Sequence, residues 1–256
     1  MNSAPFEIVT VACLSDNYAF LIRDAQTGRT ALVDAPEAAP LIAALEARGW
    51  GLDEILLTHH HDDHIQAVPE LVARFGAKVL GASADAHRLP ALDRAVVAGE
   101  SFDLFGQKVD VIDVPGHTVG HIAFYFKGAL FSGDSLMAAG CGRLFEGTPA
   151  QMWESLQTLR ALPAETMVYS GHEYTTSNLR FALSQEPENA ALQARAEAVA
   201  ALRAEGGYSV PSRLSDEIAT NPFLRADLPE FAAAAGLAGQ DPLAVFTEIR
   251  TRKNNA

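Results

Sequence analysis

Residues 58–64 read Thr58-His59-His60-His61-Asp62-Asp63-His64, directly after the apolar run Ile55-Leu56-Leu57. In a locally extended turn alternate side chains share a direction, so His59 and His61 point the same way. Asp63 and His64 are then left to face a second ion. Imidazole and carboxylate donors suit zinc, and also iron or manganese. A lone His-x-His is a weak signal. The weight comes from three further segments built on the same plan. Pro115-Gly116-His117 follows the run Val109–Val114, Gly133-Asp134 follows Ala129–Phe131, and Gly171-His172 follows Thr166–Tyr169. Each donor stands on a turn just past a strand-like run, where a rigid scaffold gathers functional groups. The count closes at seven donors: His59, His61, Asp63, His64, His117, Asp134 and His172. Asp134 is able to bridge two ions, with open positions left for water.

Other residues of the same types read as structural. His60 is expected to point away from the site, and His87 to lie on the surface. His121, after the turn Gly116-His117-Thr118-Val119-Gly120, is expected to support the ligands or the fold. Asp62 is expected to cap or solvate its turn. Cys141 has no partner base in sequence and reads as a packed small residue, not a nucleophile.

The chain of 256 residues is long enough for one large domain, or a medium domain with an appendage. Apolar residues make up 48% and charged residues 20%, so a packed core is expected and disorder is not. The formal net charge of −13 argues against a nucleic-acid partner, because phosphate binding needs Lys and Arg. The two cysteines form no CxxC pair, which speaks against a thiolate zinc site and for a reducing compartment. Residues 1–7 carry no basic stretch of the export kind, and no apolar run approaches the roughly 20 residues of a membrane span. A cytoplasmic protein with no membrane association is expected, as a monomer or a dimer.

Apolar runs at Ile55–Leu57, Lys78–Leu80, Val109–Val114, Ile122–Phe126, Ala129–Phe131 and Thr166–Tyr169 read as strands. Ala38–Arg48 and Pro149–Leu162 read as helices between them, which gives α/β layers. After about residue 174 the texture changes. Leu179 and Leu183 are four apart, in a helix that should stop before Pro187. Leu192, Ala196, Val199 and Leu202 follow helical spacing. Asp241-Pro242 is a helix start, with Leu243, Phe246 and Ile249 as its apolar stripe. Two domains are expected, 1–173 for catalysis and 174–256 as a small helical domain.

THHHDDH, PGHTVGH, SGD and GHEYT in this order resemble the metallo-β-lactamase superfamily. The resemblance implies a four-layer αββα sandwich with metals at one edge. It implies His59, His61 and His117 on one ion, Asp63, His64 and His172 on another, and Asp134 bridging. Narrower features resemble glyoxalase II over nearly the whole chain: Asp16-Asn17-Tyr18, Gly140-Cys141-Gly142-Arg143-Leu144-Phe145-Glu146-Gly147, Thr220-Asn221-Pro222-Phe223-Leu224-Arg225, and a helical end with Arg250-Thr251-Arg252-Lys253. That family holds glutathione at positions matched here by Arg143, Phe145, Tyr174, Arg250 and Lys253. Arg143 stands where many members have Lys, and Phe145 where some have Tyr, which changes hydrogen bonding more than charge. Arg250 and Lys253 are three apart, so a helix puts them on one face.

The implied activity is hydrolysis of S-(2-hydroxyacyl)glutathione, typically S-D-lactoylglutathione, to glutathione and D-lactate, the second step of methylglyoxal detoxification. Two divalent ions, zinc first among the candidates, about 3.5–4 Å apart would hold a hydroxide that Asp63 and Asp134 position. Two rival activities share the fold. A mononuclear iron persulfide dioxygenase would use one iron and consume oxygen, and a nuclease would need a basic surface that the −13 charge denies.

Overall fold

In the computed structural model, which describes residues 6–256, β-branched and aromatic residues near the start form a long hairpin. Strand β1 (Phe6–Cys13) pairs antiparallel with β2 (Asn17–Asp24), from Phe6 opposite Asp24 to Cys13 opposite Asn17. The next strand, β3 (Thr30–Val33), continues the antiparallel run. Then β4 (Glu54–Leu56), β5 (Lys78–Ala82) and β6 (Arg94–Val96) add in parallel, giving the order β1-β2-β3-β4-β5-β6. Parallel neighbours need crossovers, and helices supply them. Helix α1 (Ala38–Glu46) links β3 to β4, while α2 (Asp62–Ile65) and α3 (Val68–Phe75) link β4 to β5. All four residues of β3 are buried, and Leu21, Leu32, Leu41, Leu45, Ile55, Leu57 and Leu71 form a core with no exposed surface. This packing makes the ends of β3 and β4 rigid platforms, the first carrying Asp34 and the second the histidine segment.

The chain divides into two compact units. One runs to Asp113 and includes Gly120–Phe126; the other comprises Val114–Val119 and Lys127–Ala256. The first unit also contains the antiparallel strands β7 (Ser101–Leu104), β8 (Gln107–Asp113) and β9 (Ile122–Phe126).

In the second unit β10 (Ala129–Gly133) and β13 (Met167–Ser170) are parallel, and β14 (Ser212–Arg213) joins β13 antiparallel. A short ribbon of β11 (Leu136–Met137) and β12 (Gly140–Cys141) follows β10. Helix α4 (Pro149–Arg160) begins at a capping box of Thr148 and Gln151 with Pro149 in the first turn. The rest is mostly helical: α5 (Thr175–Gln185), α6 (Ala190–Ala204), α7 (Leu214–Thr220), α8 (Pro229–Ala234) and α9 (Pro242–Asn254). As expected, α5 stops before Pro187, and Asp241 caps α9 through bonds from the Leu243 and Ala244 amides. Trp153 and Phe223 both pack their rings on Phe246 in this unit's core.

The six apolar runs read as strands are all strands, with ends shifted by a residue or two, and the helices over 38–48 and 149–162 are present but slightly shorter. Among the described residues no helix is long and apolar enough to cross a membrane.

Candidate metal centre

In the first unit the support begins at Asp34, which leaves β3 with φ +57° and is buried. Asp is one of the few residue types that visit this left-handed region readily. Its carboxylate accepts from the Thr58 amide at 2.9 Å, from Thr58 Oγ1 at 2.8 Å and from His64 Nδ1 at 2.8 Å. A carboxylate only accepts, so His64 carries its proton on Nδ1 and presents the Nε2 lone pair. Thr58 has its hydroxyl hydrogen engaged in the bond to Asp34. Its oxygen therefore accepts from His59 Nδ1, 3.0 Å away, and His59 also presents Nε2. One buried carboxylate thus sets the tautomers of two imidazoles.

His59 Nε2 lies 3.1 Å from His61 Nδ1. Two lone pairs at that distance repel unless a proton or a cation is shared between them, so these nitrogens fit a divalent ion. Asp63 Oδ2 lies 3.8 Å from His64 Nε2 and accepts from the Asn17 side-chain amide at 3.0 Å. His121 is fully buried and stacks on His59 with ring centroids 4.7 Å apart, a supporting position as expected. His60 turns instead to Asp85, its Nδ1 2.8 Å from the buried carboxylate, which Arg88 also binds. His87 and Asp62 are exposed.

In the second unit Asp134 Oδ2 lies 3.4 Å from His117 Nε2 and 3.2 Å from His172 Nε2. His117 Nδ1 donates to the Arg143 carbonyl at 2.8 Å, so its Nε2 too presents a lone pair to a metal. All three side chains are buried. Backbone packing builds this group of side chains. A Cβ on Gly142 would overlap the Asp134 carbonyl oxygen and press on His117 Nδ1 at 2.9 Å. A Cβ on Gly116, at φ +148°, would fall 2.7 Å from Met152 Cβ, and one on Gly147 would fall 2.6 Å from Gly116 Cα. Tyr174 stacks on His172 with centroids 4.7 Å apart, and Phe145 meets His117 edge-on at 5.3 Å.

Of the residues matched to glutathione binding, Arg143, Tyr174 and Phe145 are exposed, Phe145 by 64%. Lys253 is half-buried, 5.3 Å from the Phe181 ring centroid, and donates to the Ser177 carbonyl at 3.2 Å. Burial, then the charges of Arg250, Arg143 and Arg180, push its pKa below the usual lysine range. Arg250 is buried; its Nη1 donates to the Cys141 carbonyl at 2.9 Å and its guanidinium sits 4.9 Å from the Phe223 ring centroid. Cys141 is buried, as expected, and burial pushes its thiol pKa up.

Sequence reasoning gave no role to Asn17, Asp34 or Arg180. Asp34 had a usable signal. It stands directly after the apolar run Ala31-Leu32-Val33, in the same strand-then-donor position as Asp134. Arg180 had none, because a lone cation on a helix reads as solvated.

The Metallo-beta-lactamase superfamily model matches residues 15–172, and this defines the class of fold and site. The model for the hydroxyacylglutathione hydrolase C-terminus matches residues 173–256. A hydroxyacylglutathione hydrolase of Fuscovulum blasticum is 60% identical over 249 residues, covering 96% of this chain and 98% of the relative. One of Ruegeria pomeroyi is 60% identical over 253 residues, covering 98% and 99%. Among solved structures, TTHA1623 in a di-iron-bound form is 32% identical with a TM-score of 0.56, covering 65% of this chain and 91% of that one. The chain belongs to the hydroxyacylglutathione hydrolase family, and it is an enzyme.

Proposed function

We propose that this chain hydrolyses S-(2-hydroxyacyl)glutathione thioesters, typically S-D-lactoylglutathione, to glutathione and a 2-hydroxy acid. The observation that carries this reading is the 60% identity to hydroxyacylglutathione hydrolases over nearly the full length. Fold alone would not suffice, since the superfamily hosts many activities. In this reading His59, His61 and His117 serve one divalent ion, Asp63, His64 and His172 a second, and Asp134 both. The superfamily match spans every one of these donors. Zinc suits the donor set, and the di-iron form of TTHA1623 keeps iron as the alternative.

Bound ions would supply Lewis acidity and acidify the water that touches them. The chain's own residues do the rest. Asp63 and Asp134 orient the attacking water toward the thioester carbonyl. Asp34, Thr58 and the Arg143 carbonyl keep three imidazoles in the tautomer that offers Nε2. Arg143, Phe145, Tyr174, Arg250 and Lys253, in a glutathione-binding region over 174–256 and the loop at 143–145, hold the remote part of the substrate. That remote binding energy positions the reacting carbonyl. Two free, buried cysteines support a reducing, cytoplasmic setting.

The test is steady-state hydrolysis of S-D-lactoylglutathione with metal analysis of the same preparation and an oxygen electrode in parallel. Thioester cleavage with about two ions per chain is expected. Oxygen uptake on glutathione persulfide with one iron would transfer the assignment to the dioxygenase reading.

A further inference from the structure

The segment Asp16-Asn17-Tyr18, where the 14–16 turn enters β2, has no part in the hydrolytic chemistry. Asn17 nevertheless opens β2 as a buried polar residue, 3% exposed. Its side-chain Nδ2 donates to Asp63 twice, to carboxylate Oδ2 at 3.0 Å and to the main-chain carbonyl at 3.0 Å. Asp63 needs such an anchor. Its side chain is 42% exposed and sits in α2, a single turn of helix whose N-cap residue, His61, makes no side-chain capping bond. A carboxylate this open has rotamers directed into water, and the bond from Asn17 selects against them. The anchor itself is rigid: β2 pairs over eight residues with β1 and four with β3, and seven of its eight residues are buried.

We propose that Asn17 is a positioning residue that fixes the Asp63 carboxylate beside His64 Nε2 and thereby sets the affinity of the ion these two residues share. The inference rests on the two-ion reading of the proposed function. Each carboxylate oxygen has two lone-pair sites, so the bond from Asn17 leaves Asp63 lone pairs with which to ligate. The two hydrogen bonds from one amide hold side chain and backbone at once, and so fix the register of the turn between His61 and His64 as well as the carboxylate rotamer. Asn17 does for Asp63 what Asp34 does for His64. Loss of such an outer partner lowers metal affinity by roughly 10- to 100-fold.

The experiment is a zinc titration of the metal-stripped full chain against a competing chelator, resolving the two binding steps, for wild type, Asn17→Ala, Asn17→Asp and Asp63→Ala. Asn17→Asp keeps the shape of the side chain, lacks the donor and adds a like charge. The expected result is a fall of roughly 10- to 100-fold in one step for Asn17→Ala, a larger fall for Asn17→Asp, and the other step unchanged. Wild-type affinities in both Asn17 variants, or equal weakening of both steps, would overturn the role of Asn17. The Asp63→Ala arm separates the two ideas. If it leaves both steps intact, Asp63 is not a ligand, and the ligand assignment is what fails.

Discussion

The donors at 59, 61, 63 and 64 and the donors at 117, 134 and 172 are supported by different means. In the first unit side chains support side chains: Asp34 holds Thr58 and His64, Thr58 holds His59, and Asn17 holds Asp63. In the second unit the backbone does it. The Arg143 carbonyl holds His117, and glycines at 116, 142 and 147 allow the chain segments to touch. Side-chain support can be removed by one substitution with the fold left standing. Backbone support can be removed only by disturbing the loop that provides it. The two halves should therefore fail differently.

The largest effect is expected where a donor itself is removed. Asp134 faces two imidazole nitrogens, and Asp134→Ala should lose bound metal and lower kcat by at least about a thousandfold. Metal content and turnover measured on one preparation check this. Normal values for both would overturn the bridging role proposed for Asp134.

The next effect breaks the backbone half without touching a donor. Glu217 is fully buried, accepts from the Ala139 amide at 2.8 Å and from Asn221 Nδ2 at 3.1 Å, and pairs with Arg195. Asn221 Nδ2 also reaches the carbonyls of Met137 and Gly140, at 3.2 and 2.9 Å. This hub holds the 137–141 ribbon that leads into Gly142 and Arg143. Glu217→Ala removes the carboxylate partner of Arg195, which keeps its bonds to Thr220 and Asp216, and leaves the Ala139 amide without its acceptor, at a cost of about 3 kcal/mol. Thermal unfolding of the metal-free protein should show a clear drop. The corresponding change in the first unit, Asp34→Ala, should act on metal instead, weakening binding by roughly 10- to 100-fold. Chelator competition measures it. If metal affinity holds and only the melting temperature falls, Asp34 is a fold residue and the contrast between the halves disappears.

The same contrast explains what was legible in the sequence. His59, His61, Asp63 and His64 fall within one six-residue segment, whose alternation pointed toward a site but was a weak signal by itself. His117, Asp134 and His172, each on a turn just past an apolar run, supplied the weight and closed the count at seven, while the placement of His117 and His172 on particular ions needed the family resemblance. Their supports could not be read at all, because a carbonyl such as that of Arg143 leaves no mark on residue type. Six strands from Ile55 onward, β4, β5, β8, β9, β10 and β13, were legible as short apolar runs bounded by turns, whereas β6, β7 and the two-residue β11, β12 and β14 were not predicted. The opening strands β1–β3 were not predicted, although Val9, Val11, Phe20 and Ile22 lie in them. The shared face expected for Arg250 and Lys253 comes from their spacing on α9, but spacing is blind to depth. Arg250 is buried against Cys141 and Phe223, while Lys253 stays partly open.

That difference in depth gives the smallest prediction and the one that separates binding from chemistry. Lys253 touches no metal donor; its ammonium donates to Ser177 and is crowded by Arg250, Arg143 and Arg180. Burial and these three cations favour its neutral form, and an anionic substrate favours its charged form. Lys253→Ala should therefore raise KM for S-D-lactoylglutathione by a factor on the order of 10, with kcat nearly unchanged. The pH dependence carries the sign. Because the lysine pKa is depressed, wild-type KM should rise as pH climbs through that lowered value, and this limb should vanish in Lys253→Ala. Arg250→Ala should differ, since it also strips the Cys141 carbonyl of its donor inside the second unit. It should lower stability as well as raise KM. Equal behaviour of the two variants, with no stability cost for either, would mean that burial at Arg250 has no structural consequence and that the two cations act as one pair.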